Sequence, residues 1–459
     1  MLKNISVAHK ALKEKKISPK ELAELCLKNI QLPANSYISI FKELVLREAE
    51  KITEFPSFLT GIPYSLKDLF ITQGLRTTAA SRYLLNYIPT YDSFVHQQFK
   101  KSGSLLIGKN NCDEFGMGSL NRSSAFGPSF YPENLDHYAG GSSGGSASAV
   151  KEKSSFFSIG TDTGGSVRLP AAFQGLWGLK PSYGRISRYG QIAYASSLDQ
   201  AGIIANCPED IAIVLDQLTV KDEKDTTQKK HVSHCVESIH KKRTKNITLG
   251  IIPEFIDLCS PLIKSGLLNF LKSLPSSIQI KELSLKTSSF WSKTYYILAM
   301  SEASSNLSRY DGIRYGGTYS QEKDLQHYYE DQRQLLGPEV QKRILAGTYF
   351  LHSSSRDNYY NKAIHLRDLI KKELSDTFSS VDFLFFPTNN TVAPKKGSSL
   401  TSLEEYNLDL FTVGISLAGL PALNIPLGSA EHSLPFGAQI ISPFFQEELL
   451  LQLAQEFYV

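Results

Sequence analysis

Apolar residues recur along this chain in two alternating periods, and that alternation sets the expected architecture. Ser18-Pro19-Lys20-Glu21 offers a capping serine, a proline at the first helical position and a glutamate three residues after the cap. Leu22, Leu25 and Cys26 follow at helical spacing, which predicts a helix, and a second helical stretch runs over residues 41–52. Residues 1–60 therefore read as a helical layer. From Gly61 the pattern changes to short apolar runs alternating with helices. It predicts a strand over 62–66 that ends at Lys67-Asp68. A helix capped by Asp92 follows, with Val95 and Phe99 on its apolar face and Gly103 closing it. A strand comes at 105–107, then a helix from near Ser146 carrying Ala147, Ala149 and Val150, then a buried strand at 155–159. Pro208 opens another helix with Ile211, Val214, Leu215 and Leu218 on one stripe.

Residues 221–246 are polar and predict an exposed connection. Beyond them the pattern gives a strand at 247–252 and helices at 262–274 and 301–309. A long helical region at 340–374 is interrupted around 353–355. Strands at 382–386, 423–426 and 437–442 and a terminal helix from Glu447 complete the chain. Such alternation predicts an α/β layered fold. No internal repeat is visible.

Composition narrows the class. The chain has 459 residues, 41% hydrophobic and 20% charged, as in globular proteins. A net charge of +4 gives no case for dominant nucleic-acid binding. Five cysteines (Cys26, Cys112, Cys207, Cys235, Cys259) are scattered, and none forms Cys-x-x-Cys, which argues against a disulfide framework and fits a reducing compartment. Charged residues follow the N-terminus closely, with Glu14 and Glu21 early and no apolar leader or membrane-spanning run, so the expected location is cytoplasmic. His231, His234, Cys235 and His240 lie in the polar connection. They match no zinc-ligand spacing, so a solvated loop and no metal site are expected.

The candidate chemistry lies in two glycine-serine loops, Gly140-Gly141-Ser142-Ser143-Gly144-Gly145-Ser146 and Gly160-Thr161-Asp162-Thr163-Gly164-Gly165-Ser166. Dense glycine is costly to order, and is used where backbone N–H groups must approach an anion. Serines on such loops suggest an oxyanion site with a hydroxyl nucleophile. A flexible linker is the alternative, and the structured apolar sequence on either side argues against it. A serine needs a base. The only histidine near is His137, in a polar turn. Lysine serves in Ser-Lys variants, provided burial keeps it neutral. Lys67, at the end of an apolar strand, is the candidate. Residues 140–144 formally fit Gly-x-Ser-x-Gly, but polar sequence precedes them, whereas the second loop follows a strand. Ser166 is therefore the better nucleophile. Neither loop ends in the Gly-Lys-Ser/Thr of a phosphate loop.

Lys67, Ser142 and Ser166, in these loops and with Pro170-Ala171-Ala172 after them, resemble the Ser-cisSer-Lys triad of the amidase signature family. The resemblance implies a central mixed β-sheet covered by helices on both sides. It also implies one amidase domain over 1–459: a helical layer (1–60), a signature core (61–220), the polar connection (221–246) and a second part (247–459) with glutamine-binding residues. By the same resemblance Ser166 forms an acyl-ester and Ser142, after a cis peptide, relays the proton. Lys67 is the base, and the N–H groups of Thr163, Gly164, Gly165 and Ser166 form the oxyanion hole.

The motifs Asn111-Cys112-Asp113-Glu114-Phe115-Gly116, Gly178-Leu179-Lys180-Pro181-Ser182-Tyr183-Gly184-Arg185, Tyr194-Ala195-Ser196-Ser197-Leu198-Asp199-Gln200 and Lys342-Arg343-Ile344-Leu345 extend the resemblance to one branch, the glutamine-hydrolysing components of tRNA-dependent amidotransferases. That branch implies glutamine as substrate, two partner chains (the B and C components) in a heterotrimer, and misacylated Glu-tRNA(Gln) or Asp-tRNA(Asn) reached through the complex. It implies no cofactor in this chain, with ATP and Mg used on the partner. Arg343 would take the glutamine α-carboxylate and Asp409 its α-ammonium, opposite charges for a zwitterion. Ala139, Leu69, Asn389-Asn390 and residues 395–405 depart from the branch pattern. The alternatives are a stand-alone amidase and a non-catalytic assembly component. Arg343 and Asp409 argue against the first, and the intact triad argues against the second.

Overall fold

Among the residues that the computed structural model describes (2–229, 232–241, 243, 245–316 and 324–458), eleven strands form one sheet. Its spatial order is Tyr37–Ile40, Leu105–Asn110, Pro63–Lys67, Phe157–Asp162, Gln200–Ala205, Trp177–Lys180, Ala422–Ser429, Pro435–Ile441, Phe383–Pro387, Ile247–Ile251, Ile278–Glu282. Pro63–Lys67 runs parallel to both neighbours, whereas Phe157–Asp162 and Gln200–Ala205 are antiparallel. The sheet is therefore mixed and flanked by helices, an α/β fold. Its central strands are buried along their whole length, on both faces.

That topology positions the site. Leu66 pairs with Ile159, so Lys67 and Asp162, the last residues of two parallel strands, emerge at the same edge. Loops at the carboxyl ends of parallel strands are where α/β folds hold ligands.

The helix after Ser18 is as its sequence dictates. Pro19–Lys28 carries both halves of the capping box, with Ser18 N–H donating to Glu21 Oε2 at 2.7 Å. Other elements differ from the sequence pattern. Residues 1–60 are not purely helical: Tyr37–Ile40 pairs with Leu105–Asn110 as an edge strand. A further helix, Ile5–Lys13, is capped by Asn4. The cap of Phe94–Ser102 is Ser93, not Asp92, whose carboxylate instead accepts the Gln73 N–H at 2.6 Å. Gly144–Lys151 starts before Ser146, directly out of the first glycine loop. Phe157–Asp162 lies further along than 155–159, which carries Thr161 and Asp162 into the sheet. Trp291–Leu307 begins well before residue 301, and the 340–374 region is two helices, Pro338–Leu351 and Tyr360–Thr377.

The connection at 221–246 is partly packed, contrary to its polarity. Asp216 accepts the Cys235 and Val236 N–H groups and starts the helix Cys235–Ile239, which buries Cys235 and Ile239. Asp225 accepts the Arg188 N–H at 2.9 Å. Among the described residues, no helix is long and apolar enough to cross a membrane.

Candidate active site

The two glycine loops meet back to back. The Ser143 N–H donates to the Ser166 carbonyl at 3.1 Å, and the Gly141–Ser142 peptide is cis. A side chain at Gly141 would collide with the Asp113 carboxylate, so only glycine lets this backbone pass. Asp113 in turn accepts the N–H groups of Asn121, Arg122 and Ser123, which closes the turn behind the loop.

Lys67 is wholly buried beneath the first loop. Its Nζ donates to Ser142 Oγ at 2.7 Å, Ser143 Oγ at 2.9 Å and Thr161 Oγ1 at 2.8 Å. All three acceptors are neutral hydroxyls. Burial therefore dominates and lowers the lysine to about 8, opposed by more distant acidic groups such as Cys112 and Asp113. Ser143 is held by donating to the Thr161 carbonyl at 3.2 Å, so it acts as a fixed acceptor for Lys67.

Ser166 lies at the end of the second loop and is 9% exposed. Among the described residues its hydroxyl bonds to no other side chain, so the structure joins Lys67 to Ser142 directly and brings Ser166 alongside without a direct Ser142–Ser166 hydrogen bond. Thr163, Gly164 and Gly165 form the turn just before it. Asp162 and Arg168 brace this turn from beneath. Arg168 Nε and Nη2 donate to the two Asp162 oxygens at 3.1 and 2.9 Å, and Asp162 Oδ2 also accepts the Val167 N–H at 3.1 Å.

Arg343 and Asp409, far apart in sequence, converge on Tyr296. The Arg343 guanidinium lies over the rings of Tyr194, Tyr296 and Tyr406. Its Nε donates to Glu339 at 2.8 Å and its Nη1 to the Tyr194 hydroxyl at 2.7 Å. Burial opposes its charge, but Tyr194 and Glu339 hold it firmly protonated. Asp409 accepts from Ser119 Oγ at 2.7 Å and from the Tyr296 hydroxyl at 3.1 Å. Burial pushes its carboxyl up to about 7, against those two bonds. A buried cation and a buried carboxylate bracketing one aromatic ring suit a ligand that carries both charges.

Several of these partners escape sequence reasoning. Ser143 and Thr161 lie within the glycine loops but carry no mark that they face Lys67. Glu339 stands one helical turn before Arg343, a spacing that could have revealed it. Tyr194, Tyr296 and Tyr406 come from three distant segments, and nothing local marks them as facing Arg343. His137 is not in a polar turn: it sits on the strand Asn134–Tyr138, buried, with Nδ1 at 2.7 Å from the Ala393 carbonyl. His231 lies outside the described residues. Among those described, no group of three or more His, Cys, Asp or Glu could hold a metal ion.

The Amidase family model matches residues 21–451 of this chain. A similar curated protein, the A component of glutamyl-tRNA(Gln) amidotransferase from Acinetobacter baumannii (strain AYE), is 42% identical over 97% of this chain and 93% of its own length. The protein of the same name from Legionella pneumophila (strain Paris) is 41% identical over 98% of this chain and 95% of its own. A solved structure of the same amidotransferase component, from Thermotoga maritima, superimposes with a TM-score of 0.77 at 32% identity, covering 95% of this chain and 90% of that one.

Proposed function

This chain belongs to the amidase family, and from that premise we propose that it hydrolyses glutamine to glutamate and ammonia as the glutaminase component of a glutamyl-tRNA(Gln) amidotransferase. Neutral Lys67 takes the proton of Ser142, which takes that of Ser166. Ser166 Oγ attacks the glutamine side-chain carbonyl. The N–H groups of Thr163, Gly164, Gly165 and Ser166 carry the oxyanion, each donor worth about 10²–10³ in rate. When the tetrahedral species collapses, Lys67 returns the proton through Ser142 to the leaving nitrogen, and ammonia departs. Water then cleaves the glutamyl ester, restoring Ser166 and releasing glutamate. Arg343 takes the α-carboxylate of glutamine and Asp409 the α-ammonium.

The observation that carries this reading is the convergence of Arg343 and Asp409 on Tyr296. An amidase for a neutral amide has no use for a buried guanidinium and a buried carboxylate at that spot. The ammonia serves the amidation of Glu-tRNA(Gln), or of Asp-tRNA(Asn), in a cytoplasmic heterotrimer with the B and C components, where ATP and Mg belong to the partner. The test is to purify the three-component complex with Ser166→Ala. Glutamine-dependent amidation of misacylated tRNA is lost, while ammonia-dependent amidation and assembly persist. Loss of both nitrogen sources from an intact complex contradicts the reading.

A further inference from the structure

Asp199 stands between the two halves of the site, and the roles above leave it unused. It is 2% exposed. Its carboxylate accepts Thr163 Oγ1–H at 2.7 Å, the Tyr194 N–H at 2.9 Å and the Ala195 N–H at 3.1 Å. Thr163 is the first residue of the oxyanion loop. Tyr194 is the residue whose hydroxyl accepts from Arg343 at 2.7 Å. One buried carboxylate thus holds the oxyanion turn on one side and the seat of Arg343 on the other.

Resting on the glutamine-hydrolysing reading, we propose that Asp199 is a positioning residue that couples the hold on the glutamine α-carboxylate to the alignment of the oxyanion donors. Three donors converge on it, and only an ionised carboxylate offers acceptors alone. Burial pushes the carboxyl up to about 6, opposed by the bonds from Thr163, Ala195 and Tyr194, so the acceptor form prevails at neutral pH. An asparagine has the same shape but presents an NH₂ to one of the donors and leaves it buried and unpaired. The disturbance reaches both loops, because both depend on the same group.

Two probes separate the two ends. Glutamine hydrolysis reads both, whereas sulfonylation of Ser166 by an aryl sulfonyl fluoride, which has no α-groups, reads the nucleophile and oxyanion turn. Asp199→Asn is expected to slow sulfonylation and to raise the glutamine KM, each by about 10-fold or more, the scale of a hydrogen bond to a charged group. Thr163→Val, which cuts one end, slows sulfonylation. Tyr194→Phe, which frees Arg343 at the other, raises KM. Thr163→Val added to Asp199→Asn slows sulfonylation little further, because the Thr163 hydroxyl has already lost its charged acceptor. Thermal unfolding measures the folded fraction of each variant. A folded Asp199→Asn protein with both rates of the wild type overturns the proposal, as does full additivity with Thr163→Val, or losses that merely follow the unfolded fraction. Asp199-dependent sulfonylation in a wild-type protein that hydrolyses no glutamine overturns the glutamine reading and the coupling to it, and leaves the hold of Asp199 on the oxyanion turn standing.

Discussion

The Thr412 hydroxyl donates to the Gly164 carbonyl at 2.5 Å, so the segment that carries Asp409 grips the turn that carries Ser166. The contact is close enough that a Cβ at Gly165 would stand 2.3 Å from Thr412 Oγ1. The Asp409 end of the site and the turn before Ser166 are thereby held as one body. Thr412→Ala should lower the glutaminase kcat about fivefold, the net worth of one neutral hydrogen bond. Thr412→Ser, which keeps the hydroxyl, should restore it. Steady-state kinetics alongside a melting curve check this.

The pH profile should report Lys67. Its folded value of about 8 is depressed by burial, and the base acts only when neutral. Below about pH 8 the protonated form predominates, so kcat/KM for glutamine falls about tenfold per unit of acidification and levels off above that pH. Lys67→Arg stays protonated throughout. It should lose about 10²–10⁴ in rate at every pH, the usual share of general-base catalysis.

A second break should belong to Asp409. Burial raises its carboxyl to about 7, and only the ionised form attracts an ammonium. Below about pH 7 the fall in kcat/KM should therefore steepen, since two ionisations are then lost together. Asp409→Asn should remove the extra steepness and weaken glutamine binding at all pH values.

Arg343→Ala should raise the glutamine KM by about 10- to 100-fold, the scale of a hydrogen bond to a charged group. Ammonia-dependent amidation by the complex should change far less, because ammonia has no α-carboxylate. Equal losses with both nitrogen sources would count against a role in glutamine binding.

Beneath the turn that carries Ser166, Arg168 and Asp162 are a fully buried ion pair. Arg168 also donates to Gln439 Oε1 at 2.7 Å and to Ser416 Oγ at 2.9 Å. Arg168→Leu leaves the Asp162 charge without its partner and should destabilise the fold by about 3–5 kcal/mol. Denaturant unfolding of the isolated chain measures it.

The two glycine-serine loops were legible in the sequence because their physics is local. Glycine density marks a backbone that must pass where no side chain fits, as at Gly141 against Asp113. Lys67 was legible as a polar end to an apolar strand. The helix of residues 19–28 was legible because its cap, proline and glutamate lie within four positions. What stayed hidden depends on distant segments. Trp177–Lys180 and Gln200–Ala205 are central strands buried on both faces, so no alternation distinguishes them. Asp92 and Ser93 are both able to cap, and the choice fell to Ser93 because Gln73 claims the carboxylate. The tyrosines around Arg343 stand at 194, 296 and 406, and only the fold brings them together.

The most direct measurement is the mass of the chain caught during turnover. The complex is mixed with glutamine, quenched in acid within the first turnovers and digested. The account predicts a glutamyl ester on the peptide that contains Ser166, absent from Ser166→Ala. Ammonia release with no adduct at Ser166, or an adduct on another residue, would contradict it.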